Sequence, residues 1–246
     1  MRAVILAGGR GTRLRPFTTN FPKPLMPIGE RPILELLLGQ LASHGIRDVV
    51  VLCGHLAYLI EGYFGDGAAF GGNVRYVREE EPLGTAGPLR QLAGQVDGDI
   101  LVMNGDLLTD VDFTALLEHH RAAEAAATVS VYRRHERIEL GVLQVGEDDD
   151  VTGYDEKPTL DVDVSMGLYA LTPRALELIP EGFYDMPHLI LSLLAHGERV
   201  AAYRHHGLWM DIGRVDDYER ANALYLESPG TFLPHGVGQP EVGGQT

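Results

Sequence analysis

The chain opens on Arg2-Ala3-Val4-Ile5-Leu6-Ala7, an apolar run that breaks at once into Gly8-Gly9-Arg10-Gly11-Thr12-Arg13-Leu14-Arg15, with Pro22-Lys23-Pro24 close behind. A short continuous apolar run reads as a strand buried on both faces. Glycines placed directly after such a strand let the backbone approach an anion and turn its N–H groups toward it. Arg13 and Lys23 add positive charge that does not depend on backbone geometry. The opening is therefore a buried strand delivering a phosphate-binding loop.

Apolar runs and helical patterns then alternate. Pro22, Pro24 and Pro27 keep the chain extended around Lys23, because each disfavours helix at the residue before it. Pro32 suits the first turn of a helix over 33–41, whose leucines recur at helical spacing. Strands are expected at 48–52, 74–78 and 100–103, a helix at 55–64, and another helix entered near Thr85. Strand, helix, strand, helix, strand, helix, strand is the order of a doubly wound sheet. Ligands of such sheets sit beyond the C-terminal strand ends, where the glycine loop and Asn104-Gly105-Asp106 both fall. In the second half the pattern predicts helices at 112–123 with Asp112 as N-cap, 173–178, 186–195 and 215–226, and strands at 128–132, 141–145, 164–171 and 199–203. The acidic run Glu147-Asp148-Asp149-Asp150 reads as a solvated hairpin turn. The expected fold class is α/β, a Rossmann-like doubly wound mixed sheet in a single domain over 1–227. From Ser228 the composition shifts to Gly, Pro, Gln and Thr, and a flexible tail is expected over 228–246.

Composition narrows the partners. At 246 residues and 45% hydrophobic the chain can bury one large core. Its net charge of -15, from 20 Lys and Arg against 35 Asp and Glu, argues against a nucleic-acid or anionic-membrane surface. Basic residues gathered in one loop of so acidic a chain are then informative. The lone Cys53 excludes an internal disulfide and suits a reducing compartment, and its apolar neighbours 49–52 predict core packing. The first apolar run is too short for a signal-peptide core, and no stretch of roughly 18 uncharged apolar residues occurs, so a cytoplasmic protein is expected. His119-His120 and His205-His206 are sequence neighbours rather than residues at ligand spacing, and read as surface or interface residues.

Other readings of the loop compete. Gly9-x-Gly11-x-x-Leu14 lacks the third small residue of the dinucleotide fingerprint, and its arginines are foreign to that motif. The nucleotide triphosphatase loop needs Lys followed by Ser or Thr after its last glycine, where Thr12-Arg13 stands. A glycine turn with no ligand is the third.

Gly8-Gly9-Arg10-Gly11-Thr12-Arg13-Leu14-Arg15-Pro16, taken with Phe21-Pro22-Lys23-Pro24-Leu25-Met26-Pro27-Ile28, resembles the signature of the sugar-1-phosphate nucleotidylyltransferases, or nucleoside-diphosphate-sugar pyrophosphorylases. The resemblance continues in Pro82-Leu83-Gly84-Thr85-Ala86-Gly87, Asn104-Gly105-Asp106, Glu156-Lys157-Pro158, Gly167-Leu168-Tyr169 and Trp209-Met210-Asp211-Ile212-Gly213, in the family's order. It implies an enzyme that moves a nucleotidyl group from a nucleoside triphosphate to a sugar 1-phosphate, with pyrophosphate leaving. The attacking group is already an anion, so the demand is for cations and positioning rather than a general base.

On this resemblance the nucleotide is bound by Leu6, Ala7, Gly8, Gly9, Gly11, Thr12, Arg13, Glu79, Gly84, Thr85, Ala86 and Asp106. Arg13 would hold the departing phosphates and Lys23 would stand at the reacting phosphorus. Asp106 and Asp211 would share Mg²⁺, which takes one or two carboxylates plus phosphate oxygens and water. Gly141, Glu156, Lys157, Gly167 and Tyr169 would take the sugar phosphate. Glu156 and Lys157 are adjacent on an expected strand, so they share a pocket only if the backbone is irregular there, as Pro158 allows. Leu140 stands where relatives often carry an aromatic, which leaves the sugar open. The division implied is a nucleotide-binding part over 1–110 and a sugar-binding part over 111–227. The left-handed helix domain of acyltransferase type that some relatives append is not expected after the last helix.

Guanine offers two adjacent N–H donors to one carboxylate, whereas thymine and uracil suit an amide that donates and accepts. Glu79, Glu80 and Glu81 approach the wall formed by Gly84, Thr85 and Ala86, and Leu83-Gly84-Thr85-Ala86-Gly87 resembles the mannose-type and heptose-type guanylyltransferases. GTP is the favoured nucleotide, with dTTP, UTP and CTP as alternatives. The presence of Arg13, Lys23, Asp106 and Asp211 together weighs against a non-catalytic nucleotide-sugar-binding regulator, and nothing nominates the hydride chemistry of an oxidoreductase. The partners expected are the two substrates, with no nucleic acid and no membrane, and with room for a homo-oligomer.

Overall fold

The computed structural model describes residues 2–228 together with Gly230 and Phe232, so the expected tail lies almost wholly outside the described residues. β1 (Arg2–Ala7) leads through the glycine loop to a 3-10 turn at Thr12–Leu14; a second, Lys23–Leu25, precedes the short hairpin β2 (Pro27–Ile28) and β3 (Arg31–Pro32). Then come α1 (Ile33–Ser43), β4 (Asp48–Cys53), α2 (Ala57–Phe64), β5 (Asn73–Arg78), β6 (Ile100–Asn104) and β7 (Leu107–Thr109). The second half holds α3 (Phe113–Ala122), β8 (Ala127–Arg137), the hairpin β9 (Gly141–Val145) and β10 (Val151–Glu156), and β11 (Thr159–Leu171). It ends with α4 (Pro173–Glu177), α5 (Met186–Ala195), β12 (Val200–His205), β13 (Trp209–Asp211) and α6 (Val215–Glu227).

Seven strands form one sheet in the order β12-β8-β11-β6-β1-β4-β5. β1 is central and parallel to both β4 and β6, while β11 runs antiparallel to β6 and β8, so the sheet is mixed. The doubly wound reading of the first half holds for a physical reason: Ala3, Val4, Ile5 and the whole of 49–53 are buried, because helices cover both faces. Residues alternate between two cores, Ala3 and Ile5 facing the one that takes in α1, α3 and part of α6, and Val4 facing the one under α4 and α5. Cys53 is buried, and burial first, then Glu61 and Glu79, pushes its thiol up to about 12. None of the helices among the described residues is long and apolar enough to cross a membrane.

Several local expectations hold. Asp112 caps α3 by accepting from the N–H groups of Thr114 and Ala115 at 2.9 and 3.0 Å. The acidic run turns the β9–β10 hairpin, closed by Gly146 N–H donating to the Asp150 carbonyl at 2.9 Å. Others need correction. The helix expected near Thr85 is a 3-10 run over Gly87–Leu92, with Pro88 in its first turn. β8 and β11 run well past the expected strands, since their outer halves are held by cross-strand polar pairs, the ion pair of Arg133 with Asp163 and the contact of His135 with Asp161, which carry no apolar signal. His120 is not at the surface. It is buried on the face of α3 that carries Phe113, Leu116 and Leu117, with Nδ1 2.8 Å from Thr128 Oγ1, and burial lowers its pKa.

Candidate active site

The parallel strands β1 and β6 end together, and their C-terminal edges open into a cavity of about 400 Å³. Leu6, Ala7, Gly8, Gly9, Gly11, Thr12, Arg13, Lys23, Glu79, Gly84, Thr85 and Asp106 all line it. These residues are scattered over a hundred positions, and the sheet gathers them because most end or follow β1, β5 or β6, whose C-terminal ends share this edge. Pro24, Pro82, Asn104, Gly105 and Phe183 complete the lining.

The loop is pinned rather than loose. Thr18, buried, donates its hydroxyl to the Gly11 carbonyl at 2.6 Å, and Leu14 N–H donates to the same oxygen at 2.9 Å. Gly105 N–H donates to the Leu6 carbonyl at 2.9 Å, tying the ends of β1 and β6 together. Gly8 leaves room for the Glu79 carboxylate: a Cβ there would lie 2.8 Å from Glu79 Oε1 and push that side chain aside. Glu79 accepts from Leu83 N–H at 3.3 Å, and burial raises its pKa. Glu80 and Glu81 are exposed, so of the three glutamates only Glu79 faces the cavity. Ala86, expected in the wall, lies fully buried behind it.

The catalytic candidates form one constellation. Lys23 pairs with Asp106 Oδ2, while Asp106 Oδ1 is buried with no hydrogen-bond partner among the described residues. Asp211 reaches the same place by an antiparallel pairing of β13 with β7, which sets it opposite Leu107, and Ile212 N–H donates to the Asp106 carbonyl at 3.0 Å. Burial first and the Asp106 charge second raise the Asp211 pKa, against the pull of Lys23 and Arg13. Two carboxylates that disfavour each other, one with an orphaned oxygen, are suited to a shared cation. No group of three or more His, Cys, Asp or Glu able to hold a metal occurs among the described residues. Magnesium completed by phosphate oxygens needs no third protein ligand.

The sugar-side candidates are not in this cavity. Gly141 and Glu156 are cross-strand partners on the β9–β10 hairpin, and Glu156 accepts from the Tyr154 hydroxyl at 3.0 Å. Lys157 has φ +47°, the irregularity that Pro158 suggested. Gly167, at φ +72° in an irregular stretch of β11, presses against the Asn104 side chain and so adjoins the cavity lining. Tyr169 is buried, its hydroxyl 3.0 Å from Ser165 Oγ. Sequence reasoning gave Thr18, Phe183 and Asp185 no part in the site. They lie in irregular segments where periodicity carries no information, and only the fold brings them there.

A family model described as nucleotidyl transferase matches residues 2–228. The chain belongs to the nucleotidyl transferase family. Among curated nucleotidyl transferases it is 35% identical to mannose-1-phosphate guanylyltransferase of Mycobacterium tuberculosis, over 90% of this chain and 63% of that protein. It is 34% identical to UTP--glucose-1-phosphate uridylyltransferase of Synechocystis, over 90% of this chain and 62% of that protein. The chain thus spans less than two thirds of the length of these relatives. In fold it superposes on HddC from Yersinia pseudotuberculosis, crystallised with GMP-PN, with TM-score 0.72 at 23% identity, covering 91% of this chain and 99% of that one.

Proposed function

We propose that this nucleotidyl transferase moves a nucleotidyl group from a nucleoside triphosphate, GTP by preference, to a sugar 1-phosphate, a hexose or heptose, releasing pyrophosphate. The observation that carries the reading is one cavity holding the glycine loop, Arg13, Lys23, Asp106 and Glu79. An oxygen of the sugar phosphate forms the new bond to the α-phosphorus as the bond to the β-phosphate oxygen breaks, and pyrophosphate takes the electron pair. Loop N–H groups and the Arg13 fork hold the β and γ phosphates in place. Lys23 would stand at the reacting phosphorus, where a compact point charge can follow the charge in transit. Asp106 and Asp211 would hold magnesium, which would neutralise phosphate charge as it shifts to the leaving group. We assign residues 1–110 to the nucleotide and 111–227 to the sugar, where Gly141, Glu156, Lys157, Gly167 and Tyr169 would act.

Relatives with guanylyl and uridylyl chemistry stand at nearly equal identity, 35% and 34%, so overall similarity does not choose the base. Glu79 supports guanine: it is the glutamate on the cavity wall, and a carboxylate matches two adjacent N–H donors. Pyrophosphate release measured over a matrix of GTP, dTTP, UTP, CTP and ATP with hexose and heptose 1-phosphates tests the proposal. Release with GTP and one such sugar supports it; no release in any combination refutes it.

A further inference from the structure

The nucleotide cavity has one wall that none of the transfer motifs supplies. The segment Leu83–Gly87 is bonded along its length to residues 182–186, which lead into α5. Tyr184 N–H donates to the Leu83 carbonyl at 2.9 Å, and the Tyr184 carbonyl accepts from Ala86 N–H and Gly87 N–H at 2.9 and 2.8 Å. Thr85 is tied by its N–H and its hydroxyl to Asp185 Oδ1, at 3.0 and 3.3 Å, and its oxygen accepts from Met186 N–H at 2.7 Å. The Thr85 hydroxyl proton is therefore engaged inside the protein and does not read a ligand.

These bonds hold the backbone that directly follows Phe183, from Tyr184 to Met186. A Cβ on Gly87 would stand 2.7 Å from the Gly182 carbonyl, and one on Gly84 would stand 2.6 Å from that of Tyr184. Tyr184 packs against the core and meets the ring of His188, centroids 5.7 Å apart. Phe183 lines the cavity beside Glu79, Pro82, Gly84 and Thr85, yet is 63% exposed. A large aromatic left open to solvent, with the backbone after it held by hydrogen bonds and the Glu79 carboxylate on the same cavity, offers a planar heteroaromatic ring both things it needs: a face and an edge.

We propose that Phe183 is the stacking platform for the nucleotide base, a role that rests on the nucleotidyl-transfer reading above. Stacking accepts any base, since every base has a π face. Phe183 therefore sets affinity, and Glu79 sets the choice of base.

The test is calorimetric binding of GTP, dTTP and inorganic tripolyphosphate, in magnesium buffer, to the full chain and to Phe183→Ala, Phe183→Leu and Phe183→Trp. Phe183→Ala should weaken GTP and dTTP by a common factor of about 5 to 150, the range of base–aromatic stacking. Tripolyphosphate, which has no base, should bind as before. Phe183→Trp should keep GTP affinity and show quenching of the new indole on binding. Phe183→Leu keeps apolar bulk without the π face and gives the same readout as Ala if the Ala variant folds poorly. Full GTP affinity in both Ala and Leu variants, with the wild type binding, overturns the platform and leaves the transfer reading intact. Equal weakening of GTP and tripolyphosphate also overturns it, since the loop would then have moved as a whole. No nucleotide binding by the wild type sinks the transfer reading and this inference together.

Discussion

Glu79→Gln separates the base-reading role proposed for this carboxylate from its structural cost. The side chain is half-buried on the cavity wall and accepts from Leu83 N–H at 3.3 Å, a bond that the amide oxygen of Gln can keep. Burial raises the Glu79 pKa above its ordinary 4.5, with the Leu83 bond opposing. A group whose folded pKa is raised contributes stability that is present below the ordinary value and is lost as pH rises through the folded value. At pH 7 without nucleotide the ionised carboxylate is therefore a cost, so the variant should melt at or above the wild-type temperature, and the difference should vanish toward pH 4. GTP should report the opposite. A hydrogen bond to a charged group is worth about 1.5–3 kcal/mol, and Gln cannot accept both guanine N–H groups, so GTP should bind roughly 10- to 150-fold more weakly. An amide matches thymine and uracil, so the ratio of GTP to dTTP affinity should fall by at least that factor. Wild-type GTP affinity should also decline with falling pH from a point above 4.5, whereas the variant stays flat. Melting curves without nucleotide between pH 4 and 8 read the stability change, and calorimetric titrations of both nucleotides between pH 5 and 8 read the binding; an unchanged GTP-to-dTTP ratio in the variant refutes a carboxylate reader.

Asp106→Asn and Asp211→Asn should each lower kcat by about 100-fold or more, the scale of removing one preorganised electrostatic partner, with circular dichroism unchanged; ordinary turnover in either breaks the shared-metal idea. Lys23→Ala should lower kcat more than it raises the nucleotide KM, and an effect on KM alone would reduce Lys23 to a binding role. With its thiol buried and pushed up to about 12, Cys53 should resist a disulfide reagent at pH 8 until the chain is unfolded in denaturant. Rapid modification of the folded chain would place β4 outside the core.

The sheet was legible where burial is two-sided. β1, β4 and β6 read as continuous apolar runs because helices cover both faces, and the glycine loop could be placed at a strand end on that ground alone. β8 and β11 were legible only in their inner halves. Beyond the helices their side chains meet solvent, and Arg133, His135, Asp161 and Asp163 hold the ribbon by polar cross-strand pairs that look like loop in a one-dimensional pattern. His120 failed for the complementary reason: a histidine is polar by type, but position on the helix decides burial, and one bond to Thr128 satisfies Nδ1.

The site divides along the same line. Residues that follow one strand closely in sequence, such as Gly8 to Arg13 or Asp106, inherit their placement from the strand, so a local pattern finds them. Asp211 lies 105 positions from Asp106, and only the pairing of β13 with β7 explains why they meet. The motif resemblance named it, and the register supplies the cause. Thr18 and Phe183 have neither a strand nor a motif to announce them. Thr18 holds the Gly11 carbonyl, and Phe183 comes just before Tyr184, whose backbone bonds reach a segment a hundred residues away. Glu156 and Lys157 show the converse: their motif is as plain as that of Asp106, but they belong to a hairpin that pairs as its own two-stranded sheet, between the exposed ends of β8 and β11 in the chain. The residues expected on the triphosphate side, by contrast, follow strands at the buried interior of the sheet, which is why their placement reads from the strand pattern.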